Sequence, residues 1–155
     1  MSELRELYQE MILEHGRQPR NCHVLPDANR QAEGFNRVCG DRLTLYAKVD
    51  QNQCLTEISF TGSGCAIAMA SASLLTETLK GKTEQAAIAL FHWFHALLTQ
   101  ENASTPVAIS HVVTKKLMVF SGVKAYPVRV KCATLAWHTL HAALQQTQQL
   151  VSTER

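Results

Sequence analysis

The residue pattern changes at Gly62-Ser63-Gly64-Cys65, and that break limits what the chain can become. Before it, residues 42–49 alternate, with Leu43, Leu45, Ala47 and Val49 on one face and Arg42, Thr44, Tyr46 and Lys48 on the other. Side chains two apart share a strand face, so this is a half-buried strand. Leu55 to Phe60 is a second run rich in β-branched and aromatic residues, and Asp50-Gln-Asn-Gln between the two reads as the turn of a hairpin. After the break, Cys65 to Lys80 is packed with Ala, Ser, Leu and Met and stops at Gly81, which predicts a closely packed helix. Thr83 caps a further helix to about Thr99, with Ala86, Ala87, Leu90, Phe91, Phe94 and Leu97 inward. Pro127 suits the first turn of a last helix running to about Gln148.

Ahead of the strands, residues 3–15 carry Leu4, Leu7, Tyr8, Met11 and Ile12 at helical spacing, with Ser2 as cap and Gly16 past the end. Residues 17–29 have loop chemistry (Pro19, Asn21, Pro26, Asn29), and a short strand is expected near 31–36. Residues 100–106 read as a polar loop, 107–122 has no clear period, and the Gln-rich tail frays from about 149. Helix, strands, then helices means an α+β fold: a small antiparallel three-stranded sheet packed against several helices, in one domain spanning 1–155. The 46% apolar content fills such a core without disulfides.

Charged residues make up 18% and the net charge is +2, with no basic stripe interleaved with aromatics. Nucleic acid is therefore not an expected partner. No apolar run nears the roughly 20 residues of a membrane span. The opening Met1-Ser-Glu-Leu-Arg-Glu-Leu lacks an export pattern, so a reducing cytoplasm is expected. Five cysteines, an odd number in that setting, argue against a disulfide framework and for thiol or metal chemistry.

Three segments carry that chemistry. Cys39-Gly40-Asp41 sets a thiol and a carboxylate two apart, and Gly40 lets the backbone bend so that both reach one ion. Gly62 and Gly64 let the chain turn from strand to helix, which puts Cys65 in the first helical turn. There the unpaired N–H groups favour a thiolate, although a merely buried cysteine fits the same motif. Cys132 follows Pro127-Val-Arg-Val-Lys. Arg129 and Lys131 oppose the helix dipole, either because an anionic cluster lies nearby or because both are simply solvated. Three thiols and one carboxylate from separate segments match the donor count of a tetrahedral site that the fold itself must assemble. Zinc accepts S and O donors, and iron clusters prefer thiolates.

These ordered motifs resemble the U-type iron–sulfur assembly proteins (the IscU/NifU N-terminal superfamily), and specifically their SufU branch. Leu7-Tyr8 through Pro19-Arg20-Asn21, Cys39-Gly-Asp41, Gly62-Ser-Gly-Cys65-Ala-Ile, Ala70-Ser-Ala-Ser73 and Val128-Arg-Val-Lys-Cys132-Ala-Thr-Leu-Ala-Trp carry the likeness, which covers about residues 5–145. Lys131 stands where the IscU branch typically has His, and the second and third cysteines are farther apart than in that branch. Both features resemble SufU. The resemblance implies a SufE/NifU-like fold and zinc held by Cys39, Asp41, Cys65 and Cys132. It implies that Cys39 accepts persulfide sulfur from a SufS-type cysteine desulfurase once a partner His displaces its thiolate from zinc. The protein would then be a sulfur-transfer partner, not a stand-alone enzyme, serving downstream cluster-assembly or acceptor proteins. The alternative is a scaffold for a transient [2Fe-2S] cluster on the same ligands. Arg37 stands where the family has Pro, which predicts a looser loop, and residues 100–122 align poorly.

Other readings have less behind them. A zinc hydrolase or deaminase would need an open metal position and a nearby general-base Glu, and neither H-x-E nor P-C-x-x-C occurs. A structural metal domain that only docks partners also fits three thiols. Cys22 and Cys54 match no functional position. His92/His95 and His138/His141 are spaced i, i+3, and packing or surface placement is expected for both pairs, while nothing in the sequence ties His111 to the site.

Overall fold

The computed structural model describes residues 2–100, 109–145 and 151–152. The elements run α1 (Ser2–Arg17), β1 (Arg30–Asn36), β2 (Asp41–Val49), β3 (Leu55–Ser63), α2 (Ala66–Leu79), α3 (Glu84–Thr99), α4 (His111–Leu117), a 3₁₀ segment (Met118–Ala125), α5 (Pro127–Leu144) and β4 (Val151–Ser152). β1, β2 and β3 form the expected antiparallel sheet with β2 central, and β4 adds a two-residue parallel edge beside Gly34 and Phe35. The expected frayed tail otherwise falls on residues outside those described, as do 101–106 of the polar loop and 146–148 of the last helix.

The alternation in β2 holds in space: Leu43, Leu45, Ala47 and Val49 are buried. α5 lies across β1 and β2, α2 packs against α5, and α1 and α3 cover the outer sides of α2 and α5. Trp137 of α5 reaches the centre, stacked 4.8 Å from Phe94, and its indole N–H donates to Ser71 Oγ of α2 at 3.1 Å. A buried indole needs such a partner.

The Pro19-Arg20-Asn21 motif is a staple. The Arg20 N–H donates to Ser73 Oγ at 2.9 Å, and Asn21 Nδ2 donates to Thr76 Oγ1 at 3.0 Å. Asn21 O accepts the N–H of Phe60. Buried His15 contacts the same Ser73 hydroxyl at 2.7 Å. The exit of α1 is thereby tied to both α2 and β3.

Some expectations need correction. Cys65 is the N-cap of α2, one step before its first turn. Ala86 is exposed while Trp93 and Leu98 are buried, so the inward face of α3 is rotated from the expected one. Leu7 is 52% exposed. The last helix ends at Leu144. The stretch 107–122 lacks a period because it changes helix type: α4 tightens into 3₁₀ at Met118, where side chains repeat every three residues. No helix among the described residues is long and apolar enough to cross a membrane.

Candidate metal and thiol site

Three chain reversals meet at one corner. β1 and β2 pair through Asn36 opposite Asp41, and residues 37–40 form the turn between them. Gly40 has φ +71°, a left-handed conformation that a side chain would resist. It sets Cys39 on the turn, half-buried, and Asp41 on the strand, 2% exposed. Arg37 makes contacts of its own in this turn. Its guanidinium lies 5.2 Å over the Phe35 ring, its carbonyl accepts the Gly40 N–H, and the next N–H, of Val38, donates to Asn36 Oδ1 at 3.3 Å.

β3 delivers the second thiol. Gly62 has φ +140°, and its strand lies so close to β2 that a Cβ would fall 2.1 Å from Arg42 O. At Gly64 a Cβ would fall 2.6 Å from Asp41 Oδ1, so glycine there makes room for the carboxylate. Asp41 Oδ1 accepts the Cys65 N–H at 2.8 Å, and Asp41 Oδ2 lies 3.9 Å from Cys65 Sγ. The Cys65 side chain itself makes no capping hydrogen bond of ordinary geometry at the N-terminus of α2. The Cys65 thiol is drawn down to about 7, first by a hydrogen bond from Cys132, with help from the Ala68 and Ile67 N–H groups; burial and the Asp41 charge oppose this.

Cys132 comes from the second turn of α5 and is 1% exposed. Its Sγ lies 2.8 Å from Cys39 Sγ and 3.5 Å from Asn36 Nδ2. The Cys132 thiol is pushed up, first by its hydrogen bond to Cys65, then by burial and by Cys39 and Asp41.

Donor atoms of Cys39, Asp41 and Cys132 lie within 4.8 Å of one another, and Cys65 joins them through Asp41 and Cys132. All five cysteines are free. Thiolate ligands of one tetrahedral zinc, each about 2.3 Å from the metal, sit roughly 3.8 Å apart, so small side-chain adjustments would let this donor set hold the ion. The sequence-predicted residues are thus brought together. Of the supporting residues, Gly40, Gly62 and Gly64 shape the corner. Arg129 lies 4.6 Å over the Tyr126 ring, and Lys131 is half-buried.

Asn36 was missed from sequence, although strand parity gives a hint. Ala32, Gly34 and Asn36 share a face, and Ala32 and Asn36 are buried, so Asn36 is a polar residue at a core position. The histidine pairs do meet, but around a phenyl ring: His92, His95, His138 and His141 all have centroids within 6.1 Å of Phe91. His111 is exposed at the start of α4. Cys22 is exposed, and half-buried Cys54 ends the β2–β3 turn.

Comparison with known proteins agrees with this geometry. The model of the NifU-like N terminal domain matches residues 7–133. The zinc-dependent sulfurtransferase SufU of Bacillus subtilis is 32% identical over 94% of this chain and 94% of its own. The iron–sulfur cluster assembly scaffold protein IscU of Thermotoga maritima is 35% identical over 90% of this chain and 94% of its own. The crystal structure of an iron–sulfur cluster assembly scaffold protein for the SUF system from Fervidobacterium islandicum superposes with a TM-score of 0.79 at 32% identity, covering 90% of this chain and 97% of that one. With the family model spanning most of the chain and all three cysteine motifs meeting at one corner, the protein belongs to the NifU-like N-terminal domain family.

Proposed function

We propose that this protein accepts sulfur from a SufS-type cysteine desulfurase as a persulfide on Cys39 and passes it on for iron–sulfur cluster assembly. The family and its relatives support a role in iron–sulfur cluster biogenesis. One observation carries the finer reading. Asp41 and Cys132 are buried on regular elements and half-buried Cys65 is tied to Asp41 through its N–H, while half-buried Cys39 lies on a turn between exposed Val38 and Gly40.

Zinc, when held by Cys39, Asp41, Cys65 and Cys132, would keep the thiols deprotonated and shield them from oxidation. The rest is the work of the chain. Cys65, at the helix N-terminus, holds negative charge readily. Asp41 is anchored through Oδ1 to the Cys65 N–H, so the carboxylate keeps its place when Cys39 leaves. The Cys39 thiolate attacks the outer sulfur of the desulfurase persulfide. That S–S bond breaks, the donor cysteine departs as a thiolate, and Cys39 retains the sulfur as Cys39–S–SH.

Mixing the protein with a cysteine desulfurase, L-cysteine and a reductant should accelerate sulfide release, and Cys39→Ala should abolish the acceleration. Equal stimulation by Cys39→Ala would end this reading. The IscU names among the relatives favour a second one, a scaffold for a transient [2Fe-2S] cluster on the same donors. Anaerobic reconstitution with iron and sulfide distinguishes them, because a scaffold develops cluster absorption bands and a zinc-loaded sulfur acceptor does not.

A further inference from the structure

Asn36 is the last residue of β1 and is fully buried. A buried amide needs partners for both ends. Its Oδ1 accepts the Val38 N–H, which fixes the direction of the amide, and its Nδ2 donates to Cys132 Sγ at 3.5 Å. That sulfur lies 2.8 Å from Cys39 Sγ.

Two sulfurs this close are a hazard for a persulfide acceptor. Off the metal and once it has lost its proton, the Cys132 sulfur can attack the inner sulfur of Cys39–S–SH. A Cys39–Cys132 disulfide forms, the persulfide S–S bond breaks, and hydrosulfide leaves with the electron pair: Cys39–S–SH + Cys132–S⁻ → Cys39–S–S–Cys132 + HS⁻. The persulfide is itself the oxidant, so no other reagent is needed. The sulfur is lost and the acceptor is blocked.

We infer that Asn36 is a positioning residue that holds back the Cys132 sulfur, so that a persulfide on the adjacent Cys39 survives for onward transfer. The inference rests on the sulfur-acceptor reading above. A hydrogen bond to sulfur occupies a lone pair, fixes the side-chain direction and weakens attack, much as outer-shell donors tune metal ligands. The same amide holds the turn at Val38, one residue before Cys39. Both sulfurs are thereby positioned by one rigid group.

Asn36→Leu keeps the volume and Asn36→Ala does not, and both remove the donor. After turnover with a cysteine desulfurase and L-cysteine, peptide mass mapping counts Cys39 persulfide against Cys39–Cys132 disulfide. The wild type should hold mainly persulfide, and both variants should raise the disulfide-to-persulfide ratio at least five-fold. In metal-free protein, iodoacetamide labelling of Cys132 relative to Cys65 should rise several-fold. General loosening would raise both rates together and leave their ratio unchanged. Unchanged ratios in both measurements, in variants that retain a cooperative thermal transition, overturn the inference. If the alanine variant does not fold, the leucine variant decides. If the wild type takes up no persulfide on Cys39, the sulfur-acceptor reading fails by itself and the labelling ratio still decides the role of Asn36.

Discussion

Helix α5 carries two clusters of ionisable side chains about two turns apart. Near its start, Cys132 meets Cys39, Asp41 and Cys65 from three other segments. Farther along, His138 and His141 meet His92 and His95 of α3 around Phe91, with His95–His138 centroids 5.4 Å apart and His92–His141 centroids 6.1 Å apart. Both gather metal-ligating groups, yet only the first aims them at a common point. Among the described residues, Cys39, Asp41 and Cys132 alone form a group of three donors within reach of one ion. In the histidine cluster a phenyl ring fills the place an ion would need, and His141 stacks on it at 22°. The thiol corner stabilises charge on Cys65 with the Cys132 thiol and with helix N–H groups. In the histidine cluster, burial lowers His138 and His141 and so disfavours charge on them. Proximity of ligands does not make a metal site; convergence and a place for charge do.

The strongest way to break that contrast is to remove a ligand. Zinc-site binding energies of about 10–16 kcal/mol, divided over four donors, leave about 2.5–4 kcal/mol for each. Cys132→Ala should therefore weaken zinc retention by roughly 100- to 1,000-fold, measured by chelator competition, whereas His95→Ala and His138→Ala should change it less than about two-fold. A large loss from either histidine variant would erase the distinction.

Removing the phenyl ring should do the opposite. Phe91 is 8% exposed, and Phe91→Ala should cost about 3 kcal/mol by opening a cavity between α3 and α5. That corresponds to a fall in Tm of roughly 6–12 °C. Zinc affinity at the thiol corner should stay within about two-fold of wild type. Calorimetry and chelator competition on one preparation test both halves.

Acidification separates the clusters more finely. Burial, with the neighbouring charges of His95 and His141, lowers His138 from 6.5 to about 4. Its folded state binds a proton less readily than the unfolded chain. Stability contributed by the neutral ring is therefore fully present above about 6.5 and is lost as pH falls towards 4. For this half-buried ring, screening leaves an expected loss of about 1–2 kcal/mol across that window. Urea midpoints at a series of pH values should show the decline, and His138→Leu should flatten it. An equally steep decline in that variant would assign the acid sensitivity elsewhere.

What could be read from sequence follows the same division. Cys39, Asp41, Cys65 and Cys132 were legible because glycines and a proline mark the local turns that present them. Asn36 was not, because its meaning depends on a sulfur 96 positions away. The histidines were visible as two i, i+3 pairs, but no spacing reveals that two helices face each other across Phe91. The exposure of Ala86 and the burial of Trp93 reflect how α3 rotates onto α5, which helical period alone leaves open. Residues 107–122 eluded assignment because an α turn passes into 3₁₀ within them.

The smallest expected effect is the most specific, because α2 and α3 begin in similar ways. Thr83 and Cys65 both occupy N-cap positions with extended backbone, at φ −74°, ψ 161° and φ −68°, ψ 165°. Thr83 Oγ1 accepts the Ala86 N–H at 3.1 Å, so Thr83→Ala should cost about 1 kcal/mol. Cys65 makes no cap bond of that geometry; its thiolate is favoured first by Cys132 and then by the Ala68 and Ile67 N–H groups of α2. Cys65→Ser supplies a good capping oxygen in the same backbone geometry. In metal-free protein it should raise stability by about 0.5–1 kcal/mol, a Tm gain of a few degrees, while zinc retention collapses as in Cys132→Ala. Greater stability with lost metal would mean that α2 forgoes an ordinary cap to keep a thiolate at its N-terminus. Lower stability in the metal-free serine variant would mean that Cys65 already contributes as much to the helix as an oxygen cap, and the contrast between the two helix starts would fall.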